Sequence, residues 1–194
     1  MKKILFIGLM LSLLAFATSD AVFERTSVIV TSESSLEVSG KTNINRFTCD
    51  FDVNKLKNPI EVIYYLKHNK MVFNKTVLVL ENECFDCGGK ALNNDLQKIL
   101  KTNQYPQITL FLNEISELEA HSDNILANID ITIAGINKNY KVPLTFKKDK
   151  GMLITGDLTL SMQDYNLEAP KKLFGLVTVQ DEITIDFQLA VREN

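Results

Sequence analysis

The feature that most constrains this chain is a two-residue alternation of apolar and polar side chains running through its C-terminal half. Ile125, Ile129, Ile131 and Ile133 share one parity, and Asn128, Asp130 and Thr132 take the other. Val142, Leu144 and Phe146 alternate with Lys141, Thr145 and Lys147, and Ile183, Ile185, Phe187 and Leu189 alternate with Thr184, Asp186 and Gln188. Successive side chains of a strand point to opposite faces, so each segment buries one face and wets the other. Asp149-Lys150-Gly151 marks a turn, after which Ile154, Leu158 and Leu160 continue on a new strand. Earlier strands are expected over 36–40, 47–53, 60–66, 72–80 and 107–115. Pro143 lies on the polar side of its strand and has no N–H to donate, which predicts an edge or a bulge there.

One segment has a different period. Leu92, Leu96, Ile99 and Leu100 recur at helical spacing, with Asn93 placed to cap the start and Lys98 and Lys101 near the negative end of the dipole. Tyr105-Pro106 stops the helix, because the residue before a proline disfavours the helical region. A helix with one apolar stripe can cover the open end of a barrel or lie flat on a sheet. A meander of this many strands has exposed edges, and full closure removes them. Closing about eight strands leaves an interior that side chains fill or that holds one small ligand.

At the N-terminus, Lys2 and Lys3 precede an apolar run that ends in Ala15-Phe16-Ala17. A short positive region, such a run and small residues at the cleavage positions predict a secretory signal peptide over residues 1–17, with one domain over 18–194. No second apolar span follows, so no stable membrane span is expected. Losing Lys2 and Lys3 moves a balance of 21 basic and 24 acidic residues further to the acidic side. The remaining basic residues are scattered, which argues against a nucleic-acid partner.

Three cysteines remain, and export favours a disulfide between Cys49 and either Cys84 or Cys87. Cys84-Phe85-Asp86-Cys87 has the spacing of a redox motif, but glycines separate it from the helix and no βαβ pattern surrounds it. A zinc site would have to draw on these thiols with His68 and His121, which nothing brings together, so no metal is expected. Asn74-Lys75-Thr76 is a formal glycosylation acceptor. Asp181-Glu182 reads as a turn, and Asp164-Tyr165 with Lys171-Lys172 flank a loop suited to a barrel mouth. No nucleophile elbow, phosphate loop or His-Glu-x-x-His motif is present, and the chain reads as a non-enzyme.

Several stretches, in order, resemble the YceI family in the form common among Bacteroidetes proteins. They are Ser39-Gly40-Lys41-Thr42-Asn43-Ile44-Asn45-Arg46-Phe47-Thr48-Cys49, then Cys87-Gly88 with Leu92-Asn93-Asn94-Asp95-Leu96, and the helix exit Tyr105-Pro106-Gln107-Ile108. Ile131-Thr132-Ile133-Ala134-Gly135-Ile136-Asn137-Lys138 is similar to the family's strand and turn, and residues 156–183 to its closing strands. Residues 60–87 show little that matches. The resemblance implies an all-β, lipocalin-like, eight-stranded antiparallel barrel with one capping helix. It also implies an exported protein, periplasmic or secreted, that holds an isoprenoid lipid or quinone and needs no other cofactor. It places the disulfide at Cys49 and Cys87.

The expected ligand-binding lining is Ile129, Ile131, Ile133, Val142, Leu144, Phe146, Ile154, Leu158, Leu160, Ile183, Ile185 and Phe187. The same inward rows would equally fill a closed core. The competing expectation is therefore a solid barrel that binds a partner protein through its surface.

Overall fold

A computed structural model describes residues 22–117, 124–148, 151–168 and 178–194. The expected signal segment, His121, Asp149-Lys150 and Lys171-Lys172 lie outside the described residues. Among the described residues there are twelve strands and one α-helix. They run β1 (Glu24–Val30), β2 (Ser35–Thr42), β3 (Arg46–Phe51), β4 (Ile60–Lys67), β5 (Lys70–Phe73), β6 (Val77–Glu81), β7 (Phe85–Asp86), α1 (Lys90–Ile99), β8 (Gln107–Glu117), β9 (Asn124–Ile133), β10 (Ile136–Lys148), β11 (Met152–Ser161) and β12 (Val179–Glu193).

Eight of these strands form a ring, β1-β4-β5-β8-β9-β10-β11-β12, closed by pairing of β12 back to β1. Every pairing is antiparallel, as short connections between successive strands require. The 15-residue β12 pairs with β11 along one edge and serves two neighbours on the other. Its last residues pair with β1 at Val28↔Glu193 and Val30↔Val191, and Val179–Gln188 pairs with β2. From β2 the sheet continues through β3 to β7.

The alternation places the expected strands, with the following differences. The alternation predicts neither β1, which Glu24-Arg25-Thr26-Ser27 opens without an apolar row, nor the two-residue β7, too short to show a period. The expected strand over 72–80 is two strands, broken at Asn74-Lys75-Thr76, where Lys75 has φ +63°. The helix starts after Gly89, and Asn93 lies inside it. There the Asn93 side-chain oxygen accepts the Cys87 N–H at 2.7 Å and its amide donates to Asp86 at 3.0 Å, so it ties the helix to β7 and does not cap it. Asp181-Glu182 is within β12 and not a turn, its Asp181 carboxylate accepting from Ser161 Oγ (2.5 Å) and the Gln163 N–H (2.9 Å).

Pro143 sits where a ladder stops. β10 pairs with β11 only from Leu144↔Gly156 to Lys148↔Met152, whereas its pairing with β9 runs on to Ile136↔Ile133. A residue without an N–H fits the end of a ladder. Beyond that point a 3-10 turn over Gln163–Tyr165 contacts both β10 and β11. Tyr165 is fully buried there, its hydroxyl donating to the Ile131 carbonyl at 3.4 Å. Burial pushes its phenol far above the ordinary range, with the neighbouring Tyr140 adding to the effect, so it stays neutral.

The outer face carries its own order. Asp157 pairs with Asp186, Asp186 with Glu37, Glu37 with Asp50, and Asp50 with Asp86. A row of carboxylates thus crosses β11, β12, β2, β3 and β7.

Candidate functional site

The inward rows enclose a cavity of about 910 Å³. Each wall contributes alternate residues of a strand: Leu36 and Val38 from β2, Val62 and Tyr64 from β4, Leu78 and Leu80 from β6, Leu110 and Leu112 from β8, and Ile185, Phe187, Leu189 and Val191 from β12. Gly156 of β11 leaves room for its neighbours; a Cβ there would stand 2.7 Å from Leu144 Cδ2 and 2.9 Å from the Phe187 ring. Six residues of the lining carry a polar side chain: Thr26, Tyr64, His68, Asn69, Lys70 and Thr76. Most of these are already engaged. The Tyr64 hydroxyl donates to Glu24, which raises its pKa, Thr26 donates to Glu193 at 2.8 Å, and Lys70 pairs with Glu114 at 2.7 Å. Thr76 is buried, and its hydroxyl accepts the Ile63 N–H at 3.4 Å.

The two ends of the barrel differ. One is plugged: Leu100 at the helix exit packs with Ile131, Ile133, Leu160, Met162, Tyr165, Leu167 and Ile183. The Tyr105 ring lies against Gly135, whose φ of +79° forms the tight β9–β10 turn. The helix therefore caps this end. At the other end the β4–β5 hairpin, turning at His68-Asn69, contributes Leu66, His68, Asn69, Lys70 and Met71 to the lining while Leu66 is 67% exposed. Among the described residues, that end is the mouth.

Ten residues of the sequence-derived lining border the cavity: Ile129, Ile131, Ile133, Val142, Leu144, Phe146, Ile154, Leu158, Ile185 and Phe187. Leu160 and Ile183 do not; they are buried in the plug, two residues beyond the lining pair Leu158 and Ile185 on β11 and β12. Asp164-Tyr165 also sits at this plugged end and not at a mouth. Missed by the sequence reading were the contributions of β1, β2, β4, β5, β6 and β8. For β6 and β8 the signal is the alternation of Leu78 with Leu80, and of Ile108, Leu110 and Leu112, within expected strands.

Cys49 and Cys87 form a disulfide, S–S 2.00 Å, joining β3 to the segment that leads into α1. Asp86 fixes the same junction by accepting from the Asn93 amide and the Gly88 N–H, and these bonds lower its pKa. Cys84 is free and half-buried, and burial raises its thiol pKa, which leaves it a poor nucleophile. Among the described residues, no group of three His, Cys, Asp or Glu side chains is arranged to hold a metal ion, and no helix is long and apolar enough to cross a membrane.

A closed antiparallel ring, hollow and apolar inside, with one end plugged and the other open, defines a lipocalin-like barrel. The sequence profile of the YceI-like domain matches residues 25–191, and the chain belongs to that family. Among solved structures, BcnA of Burkholderia cenocepacia is similar at TM-score 0.55 and 20% identity, covering 82% of this chain and 96% of that one. A polyisoprenoid binding domain from Saccharophagus degradans, implicated in plant cell wall breakdown, matches at TM-score 0.61 and 18% identity, over 90% of this chain and 100% of that one. The YceI protein of Campylobacter jejuni matches at TM-score 0.52 and 15% identity, over 63% and 73%. A search of curated protein sequences finds no significant match.

Proposed function

We propose that this protein holds an elongated apolar molecule, a polyisoprenoid lipid or quinone, inside the barrel, and that it does so as an exported carrier and not as an enzyme. The observation that carries the reading is the 910 Å³ cavity with a hydrocarbon wall, at the upper end of the size range of small-molecule sites. An isoprenoid tail presents only apolar surface and asks for no hydrogen bonds. Burying it gains roughly 25 cal/mol per Å² of surface removed from water. Catalysis needs polar groups that converge on a reacting atom. Here the polar lining groups are few, and most are already satisfied by protein partners. The cavity also speaks against the solid barrel that binds only through its surface. Export is supported by the N-terminal segment and by the disulfide, which persists in oxidising compartments.

Native mass spectrometry of the protein purified from its own host tests this reading. A stoichiometric non-covalent adduct that extracts as a prenyl chain is expected, on a chain lacking residues 1–17. An apo mass that stays unchanged after incubation with quinones and polyprenyl lipids would overturn it.

A further inference from the structure

We propose that the open end of the barrel docks on an anionic lipid bilayer, with the cavity mouth against the membrane. The proposal rests on the carrier reading above and names the surface from which the cavity would be loaded. Its first support is apolar exposure gathered at one end. Leu66 (67% exposed) and Met152 (41%) line the cavity and also face solvent. Beside them Phe23, 53% exposed, stacks edge-on against Tyr65 at 5.2 Å between ring centroids. Such side chains stand in water at a cost that an interfacial lipid layer removes.

The second support is charge. Lys67 of the hairpin and Lys147 and Lys148 at the end of β10 are exposed on the same rim, in a chain whose formal net charge is −3. Among the described carboxylates of this end, Glu114 is ion-paired with Lys70, and Glu24 and Glu193 accept the Tyr64 and Thr26 hydroxyls. The acidic row lies elsewhere, on the outer wall from β11 to β7. Apolar tips flanked by exposed lysines match the chemistry of a negatively charged headgroup layer over a hydrocarbon interior. Continuity supplies the third support. Leu66 and Met152 belong both to the rim and to the cavity wall, which gives a lipid tail an apolar route from the bilayer into the barrel.

The chain contains no tryptophan, so Leu66→Trp places a single indole reporter on the rim. With protein in the form its own cells leave it, vesicles of phosphatidylglycerol and phosphatidylethanolamine should shift that emission to the blue and co-sediment the protein. Phosphatidylcholine vesicles should do neither. Lys67→Gln/Lys147→Gln/Lys148→Gln should weaken vesicle binding roughly a hundredfold, about fivefold per lysine. Lys90→Gln/Lys98→Gln, on the helix at the other end, should leave it unchanged, and Leu92→Trp on that helix should give no shift. Absence of vesicle binding by a protein that still carries its apolar adduct would overturn the docking proposal and leave the carrier reading intact. Vesicle binding by a barrel that never holds an apolar ligand would support the docking surface and sink the carrier reading. A blue shift that arises without vesicles, from self-association through this rim, would also overturn it.

Discussion

Asp186 on β12 stands directly opposite Glu37 on β2, at a cross-strand position where two like charges repel. Asp157 and Asp50 extend the same row on either side. Asp186→Asn is therefore expected to raise the thermal midpoint by roughly 1–3 °C at low ionic strength. The gain should shrink toward zero in 1 M salt, where charges are screened within about 3 Å. Thermal melts of both proteins at two salt concentrations check it. A gain that does not depend on salt would point away from charge repulsion.

The cavity can be filled from its wall. Ile129 lines it from β9, and Ile129→Trp should put an indole into the space a ligand would take. We expect loss of the mass-spectrometric adduct with a stability change within the roughly 1–3 kcal/mol typical of added bulk in a core. Ile44→Trp, at an exposed position (68%), should keep both adduct and stability. Retention of the adduct by the Ile129 variant would place the ligand elsewhere.

The disulfide closes a loop with a sequence separation of 38. Its removal in Cys49→Ala/Cys87→Ala is expected to cost about 2–4 kcal/mol, through the freedom regained by the unfolded chain. Cys84→Ser leaves the pairing intact and should cost under about 1 kcal/mol. Urea denaturation under non-reducing conditions measures both.

Asp86 gives the β7–α1 junction a pH dependence. Its carboxyl is held below its ordinary value by the Asn93 amide, then by the Gly88 N–H. A depressed folded-state pKa stabilises above the unfolded value, near 3.9, and that contribution disappears as pH falls through the folded value. The wild type should accordingly exceed Asp86→Asn in midpoint at pH 6 and lose that margin below about pH 4. A margin that persists at pH 2 would show that shape, and not charge, holds the junction.

How far the sequence revealed this architecture depended on where each signal lay. Period-two alternation identifies a strand and its inward face, and it did so for β9, β10, β11 and β12. It carries no information about height along the barrel axis. Leu160 and Ile183 share parity with true lining residues and differ only in lying closer to the plug. β1 escaped notice because its inward residues, Thr26, Val28 and Val30, include a hydroxyl that reads as polar. The cap at Gly89 was obscured by Asn93, whose side chain is suited to capping and is instead used across the junction. Residues that act through a partner distant in sequence, such as Tyr165 beneath Ile131, leave no local periodic trace.

The pairing of Val28–Val30 with Val191–Glu193 also fixes when this barrel can come into being. Those segments are some 160 residues apart, and bringing them together is an entropic cost that no local contact offsets beforehand. Until the final strand is available, the curled sheet has two free edges and a bare hydrocarbon inner surface, a state open to sticking to its own copies. The seam between β1 and β12 is thus the zip of the molecule. Trimming residues 191–193 would cut only a few backbone bonds, yet leave a gutter in place of a tube.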